Sequence, residues 1–154
     1  MIHMIKLSVG VANLAELESY RDQRAHWWSA DYGEDVHVHR TRMMPKRREE
    51  MEGLSSVYWV IGGQVVCRQP ILKLSKYTNA EGIDYCDIIM SRDMVRTLPY
   101  PKRPFQGWRY LRLEDAPPDL GANENADSLA LAADLAKMGL IYVSALFRLP
   151  GAKL

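Results

Sequence analysis

The pair Gly62-Gly63 constrains this chain more than any other feature. It joins Val57-Tyr-Trp-Val-Ile61 to Gln64-Val-Val-Cys67. Adjacent glycines supply the positive φ that a primed two-residue turn needs at both central positions, and the flanking runs are rich in β-branched and aromatic residues. A β-hairpin is expected. With an unbroken ladder Ile61 faces Gln64, Trp59 faces Val66 and Val57 faces Arg68, so Trp59 and Arg68 share a face. Pro70 lacks a donor and marks an edge or bend just beyond.

Around this hairpin the pattern reads as an α+β chain. Residues 2–9 are apolar enough for a strand that Gly10 ends. Asn13, with Glu16 three residues on, opens a helix reaching about Trp28. Its stripe of Leu14, Leu17, Tyr20, Trp27 and Trp28 is interrupted by Arg21 and Arg24. Residues 36–43 alternate as a strand, and Pro45 opens a short helix that Gly53 closes. Residues 71–74 and 85–90 form a second hairpin across a polar loop. Prolines at 99, 101, 104, 117 and 118 make residues 91–121 an extended crossing. A second, C-terminal helix is expected at 126–138, then a strand at 140–147 and a tail at 150–154. The expected architecture is a mostly antiparallel sheet built from hairpins, with an N-terminal and a C-terminal helix packed on it.

The chain of 154 residues suits one domain, and 47% hydrophobic with 25% charged residues fits a globular core. No apolar run is long enough to span a bilayer and no secretion signal opens the chain, so a cytoplasmic protein without membrane association is expected. Cys67 and Cys86 sit in strand-like segments and read as reduced, buried residues. The net charge of +1 excludes the general basicity of a nucleic-acid coat protein. Local charge must carry any such role.

Three local clusters do carry charge. Arg40-Thr-Arg-Met-Met-Pro-Lys-Arg-Arg-Glu-Glu places Lys46, Arg47 and Arg48 where a helix begins and Glu49, Glu50 and Glu52 where it ends, against the helix dipole. A helix N-terminus so charged suits a phosphate or carboxylate; the competing reading is a solvated charged face. Lys102-Arg-Pro-Phe-Gln-Gly-Trp-Arg-Tyr alternates cations with aromatic rings, which suits nucleotides or RNA, although Trp108 and Tyr110 also fit a core pair. Arg68-Gln69 beside Pro70 offers two side chains the sheet does not need. His37-Val38-His39 puts two imidazoles on one strand face, but no third ligand is spaced to complete a metal site, and no cofactor is expected. Nucleophile-elbow, Walker-loop, dinucleotide-fold and zinc-protease signatures are missing.

The strings Thr41-Arg-Met-Met-Pro-Lys-Arg47, Tyr58-Trp-Val-Ile61, Arg103-Pro-Phe-Gln-Gly-Trp-Arg-Tyr-Leu111 and Asp115-Ala-Pro-Pro-Asp-Leu120 resemble those of domain of unknown function 1489, a family of short alphaproteobacterial proteins. The resemblance spans roughly residues 2–140. It implies a bacterial cytosolic setting and assigns no catalytic residue.

The leading functional expectation is a binding module for RNA or another phosphate-bearing ligand. Arg42, Lys46, Arg47, Arg68, Gln69, Arg103 and Arg109 would hold the ligand, and Trp108 would serve as a stacking platform. One alternative is a small-molecule enzyme acting on an anionic metabolite, with His37, His39 or Tyr110 handling protons. The other is a protein-interaction domain using its Arg and aromatic surface. The readings turn on whether residues 40–48, 68–69 and 102–110 meet in space.

Overall fold

A computed structural model describes residues 1–121 of the chain. β1 (His3–Leu7) leads into one continuous helical segment of 19 residues, made of α1 (Leu14–Arg24), a 3₁₀ turn (Ala25–Trp28) and α2 (Ser29–Tyr32). Then follow β2 (Val36–Thr41), β3 (Ser56–Ile61), β4 (Gln64–Thr78), β5 (Asp84–Ser91), β6 (Val95–Pro101) and β7 (Trp108–Leu111). The sheet runs β2-β5-β4-β3-β1-β7, with β6 paired to β4 off that path. Every pairing is antiparallel except β1 with β3.

This corrects the expected architecture. The fold is mostly sheet with a single helical segment, rather than a sheet bearing an N-terminal and a C-terminal helix. The helix expected at 126–138 and the strand at 140–147 lie outside the described residues. The short helix expected after Pro45 is only a 3₁₀ turn, Arg48–Glu50. Cations at its start and carboxylates at its end oppose the dipole of a longer helix, and Gly53, with φ +71°, ends the following turn. The proline-bearing stretch is extended as expected, but parts of it are strands: β6 pairs β4 irregularly, which accommodates Pro99 and Pro101, and β7 pairs β1.

The glycine hairpin forms with Gly62 and Gly63 at φ +60° and +80°. Its register differs from the unbroken ladder. A bulge between Trp59 and Val60 pairs Trp59 with Cys67, Tyr58 with Arg68 and Val57 with Gln69. One extra residue on β4 moves Arg68 to the other face from Trp59. Pro70 does not end β4, a strand of fifteen residues that continues past it to Thr78 and pairs with β3, β6 and β5.

Two apolar clusters result. One joins Met4, Trp59 and Ile61 to Leu17 of α1, to Met51, and to Ile71, Ile88 and Met90 of the bent half of the sheet. The other packs Ile5, Tyr58, Val60 and Val65 against Tyr100 and Phe105 on the opposite face. Each fully buried aliphatic or aromatic side chain here contributes roughly 1.5–3 kcal/mol. Among the described residues no helix is long and apolar enough to cross a membrane.

Candidate functional site

The sheet's two faces separate the residues expected to bind. Arg68 forks onto Asp119 at 2.8 Å through both Nε and Nη2 and donates to Ser56 Oγ at 2.9 Å, clasping residue 119 to the sheet. Arg109, in register with Ile5, lies on that same face; its guanidinium is 5.5 Å from the Phe105 ring, and with Lys102 it lines a groove of about 290 Å³. Arg103 is exposed nearby in sequence. Trp108 lies on the opposite face, in register with Lys6 of β1, and its indole donates to the Met43 carbonyl at 2.8 Å. The Tyr110 ring meets it edge-on at 4.9 Å, and the Tyr110 hydroxyl accepts from the Arg47 backbone N–H. Arg47 itself forks onto Glu50 at 2.6 Å. Lys46 is exposed, and Arg42 donates to the Asp84 carbonyl near the end of β2. Segments 40–47 and 108–110 therefore meet through Met43, Arg47, Trp108 and Tyr110 on one face, while the side chains of Arg68 and Arg109 lie on the other.

Gln69 is fully buried. Its Oε1 accepts from Trp59 Nε1 at 3.0 Å, and its Nε2 donates to His37 Nδ1 at 2.9 Å and to the Ser91 carbonyl at 3.0 Å. That fixes His37 as the Nε2–H tautomer, which donates to Asp22 at 2.9 Å, while Arg92 donates to the same carboxylate oxygen. His37 is thus a structural donor. Among the described residues no three His, Cys, Asp or Glu side chains gather as a metal site.

A different set of cations does converge. The helix cap that starts α1 is a capping pair, with Glu16 N–H donating to Asn13 Oδ1 and Ala12 N–H to Glu16 Oε2. This phases the helix so that Leu17, Arg21 and Ala25, spaced by four, face inward, and Arg21 occupies a core position. It is only 6% exposed. Its guanidinium lies 4.9 Å from the Trp59 ring centre, donates through Nη1 to the Val38 carbonyl and through Nη2 to His39 Nδ1 at 3.2 Å, and leaves the buried Nε without a partner. Lys6, Arg21 and His39, with Tyr20, Trp59 and the 7–11 turn, line a cavity of about 250 Å³.

No carboxylate balances this group among the described residues. Burial, the largest cause, pulls the Arg21 pKa down to about 10; Tyr20 opposes it, the neighbouring charge of Arg24 adds to it, and Cys67 opposes it least. Burial, then Arg21, lowers that of Lys6. His39 falls to about 3 through burial, then Arg21, then Lys6. The helix carboxylates act elsewhere: Asp22 is held by His37 and Arg92, and Glu18 acts on Cys67. Since an arginine can only donate, His39 Nδ1 must accept, leaving Nε2 as the ring's N–H. The cavity therefore offers donors and positive charge. None of the three basic segments pointed to it; its traces in the sequence are His39 of the His37-Val38-His39 pair and the cation that breaks the α1 stripe.

His39 also sets an acid sensitivity. Its unfolded value is near 6.5 and its folded value about 3, so its neutral form stabilises the fold fully above pH 6.5, and this contribution is lost as pH falls toward 3. Near pH 4.5 the loss reaches about 2–3 kcal/mol. Urea unfolding of His39→Gln at several pH values is expected to show a slope shallower by about one proton between pH 6 and 4; an unchanged slope would place the sensitivity in His3 and His37, whose pKa values burial also lowers.

No curated protein and no solved structure matches the chain. A family model does, over residues 4–141, and most of the described fold and every residue of the cationic cavity fall within that span. The chain belongs to the family described as protein of unknown function (DUF1489).

Proposed function

We propose that this protein binds a small phosphate-bearing ligand in the cavity lined by Lys6, Arg21 and His39. One observation carries the reading: a buried guanidinium with an unpartnered Nε and no carboxylate beside it among the described residues. Burying an unpaired charge costs several kcal/mol, so a fold that keeps one is completed by an anion. A phosphate suits the guanidinium charge of Arg21 and the point charge of Lys6 together. Binding is favoured over chemistry because His39 cannot take a proton near neutral pH and burial raises the Cys67 thiol to about 12. Two buried free cysteines also fit the cytoplasm as the protein's compartment.

Inorganic phosphate and pyrophosphate, titrated by calorimetry at low salt, are expected to bind the full chain, with affinity reduced at least fiftyfold by Arg21→Met. Absence of binding, or binding that survives that substitution, removes the proposal. The exposed cations Lys46, Arg103 and Arg109 enter it only as outer contacts for a longer polyanion such as RNA. Arg47→Ala with Arg103→Ala is accordingly expected to leave phosphate binding unchanged within twofold. The same pair should flatten the salt dependence of RNA binding, by about 0.7 in log–log slope for each phosphate no longer neutralised.

A further inference from the structure

The rim of the cavity continues onto the outer face of the helix. Tyr20 lines the cavity and is 39% exposed, and the Arg24 guanidinium sits 3.7 Å over its ring. The same guanidinium lies 4.7 Å from the Trp27 ring, and Trp27 is 59% exposed. Spacings of four and three put Tyr20, Arg24 and Trp27 on one stripe beside Arg21. The indole of Trp27 contributes to neither apolar cluster, and no carboxylate engages Arg24 among the described residues. An exposed indole held against a guanidinium beside a buried cationic cavity offers its flat face to a planar ligand.

Resting on the reading of the cavity as an anion site, we infer that its ligand is a nucleoside 5′-phosphate, free or at the 5′ end of an RNA chain. The phosphate enters the cavity against Arg21 and Lys6, and the base leaves over the rim to stack on Trp27, with Arg24 between base and phosphate. Three cations with no carboxylate suit a dianionic phosphomonoester better than a bridging diester carrying a single charge.

The test compares inorganic phosphate, ribose 5-phosphate, AMP and a short RNA carrying either a 5′-phosphate or a 5′-hydroxyl, all against the full chain. AMP is expected to bind about tenfold tighter than ribose 5-phosphate, as one stacked base contributes. Trp27→Ala, an exposed position whose loss leaves the core intact, is expected to erase that difference while phosphate affinity stays within twofold. If AMP binds no tighter than ribose 5-phosphate, or Trp27→Ala leaves the difference standing, the nucleotide assignment is overturned and the anion site survives. If none of the phosphates binds, both readings fall. Tighter binding of 5′-phosphorylated RNA than of AMP assigns the ligand to RNA ends, and equal binding assigns it to free nucleotides; either supports the shared chemistry. RNA binding indifferent to its 5′ group overturns it.

Discussion

Replacing Arg21 with methionine is expected to make the ligand-free protein more stable while abolishing its response to anions. A pKa drawn from 12.5 to about 10 means that, at neutral pH, holding this guanidinium charged inside the fold costs about 3 kcal/mol. Because the folded value is the lower one, that cost is present throughout the range below pH 10 and is relieved only above it. Against it stand a hydrogen bond to the Val38 carbonyl, one to His39 and the contact with the Trp59 ring, so the net gain should be about 1–2 kcal/mol, a rise of a few degrees in Tm. Methionine fills similar volume without charge. In phosphate at a hundred times its dissociation constant the order reverses: the natural protein gains about 2.7 kcal/mol and the variant nothing. Thermal unfolding with and without phosphate measures both arms. A variant destabilised without ligand would show that the guanidinium belongs to the fold's own framework.

The largest loss of stability is expected from Gln69→Leu. One buried amide serves the Trp59 indole, His37 Nδ1 and the Ser91 carbonyl, and leucine removes all three of these hydrogen bonds from the interior. Each orphaned group costs about 1–3 kcal/mol, and the chain of hydrogen bonds from Trp59 through His37 to Asp22 couples them, giving a total near 3–5 kcal/mol. Urea unfolding should show the shift, and a cost below about 1 kcal/mol would mean that water or a rearranged tautomer satisfies the network. Gln69→Glu should fare little better, since a carboxylate accepts from Trp59 but cannot donate to His37 Nδ1.

Gln69 also marks the boundary of what the residues disclose on their own. Its position beside Pro70 resembles a side chain free for a ligand; only the bulge at Trp59, which no local pattern announces, turns it inward and Arg68 outward. The glycine turn and the Asn13 cap are legible because each is a local event with one dominant physical cause. The split of the basic segments is not, because it depends on β7 pairing with β1 across about a hundred residues. The short helix fails for a reason that is visible, namely charges opposed to the dipole. Arg21 is the instructive case. A cation among the apolar positions of a weakly amphipathic helix reads as noise in a search for periodicity, yet with Lys6 it gives the cavity its charge.

The long bent strand β4 bears on the order of assembly. Its partners β3 and β5 are joined to it by short turns, at Gly62-Gly63 and around 79–83, so those ladders close small loops at little entropic cost. β1 has no such neighbour; it waits for β3, some fifty residues away, and for β7, twice as far. Lys6 rides on β1, so the two-hairpin nucleus can exist before the cation cluster does. If the proposed anion site holds, anions are therefore expected to slow unfolding without speeding the first collapse, since Lys6, Arg21 and His39 are brought together only as the sheet closes.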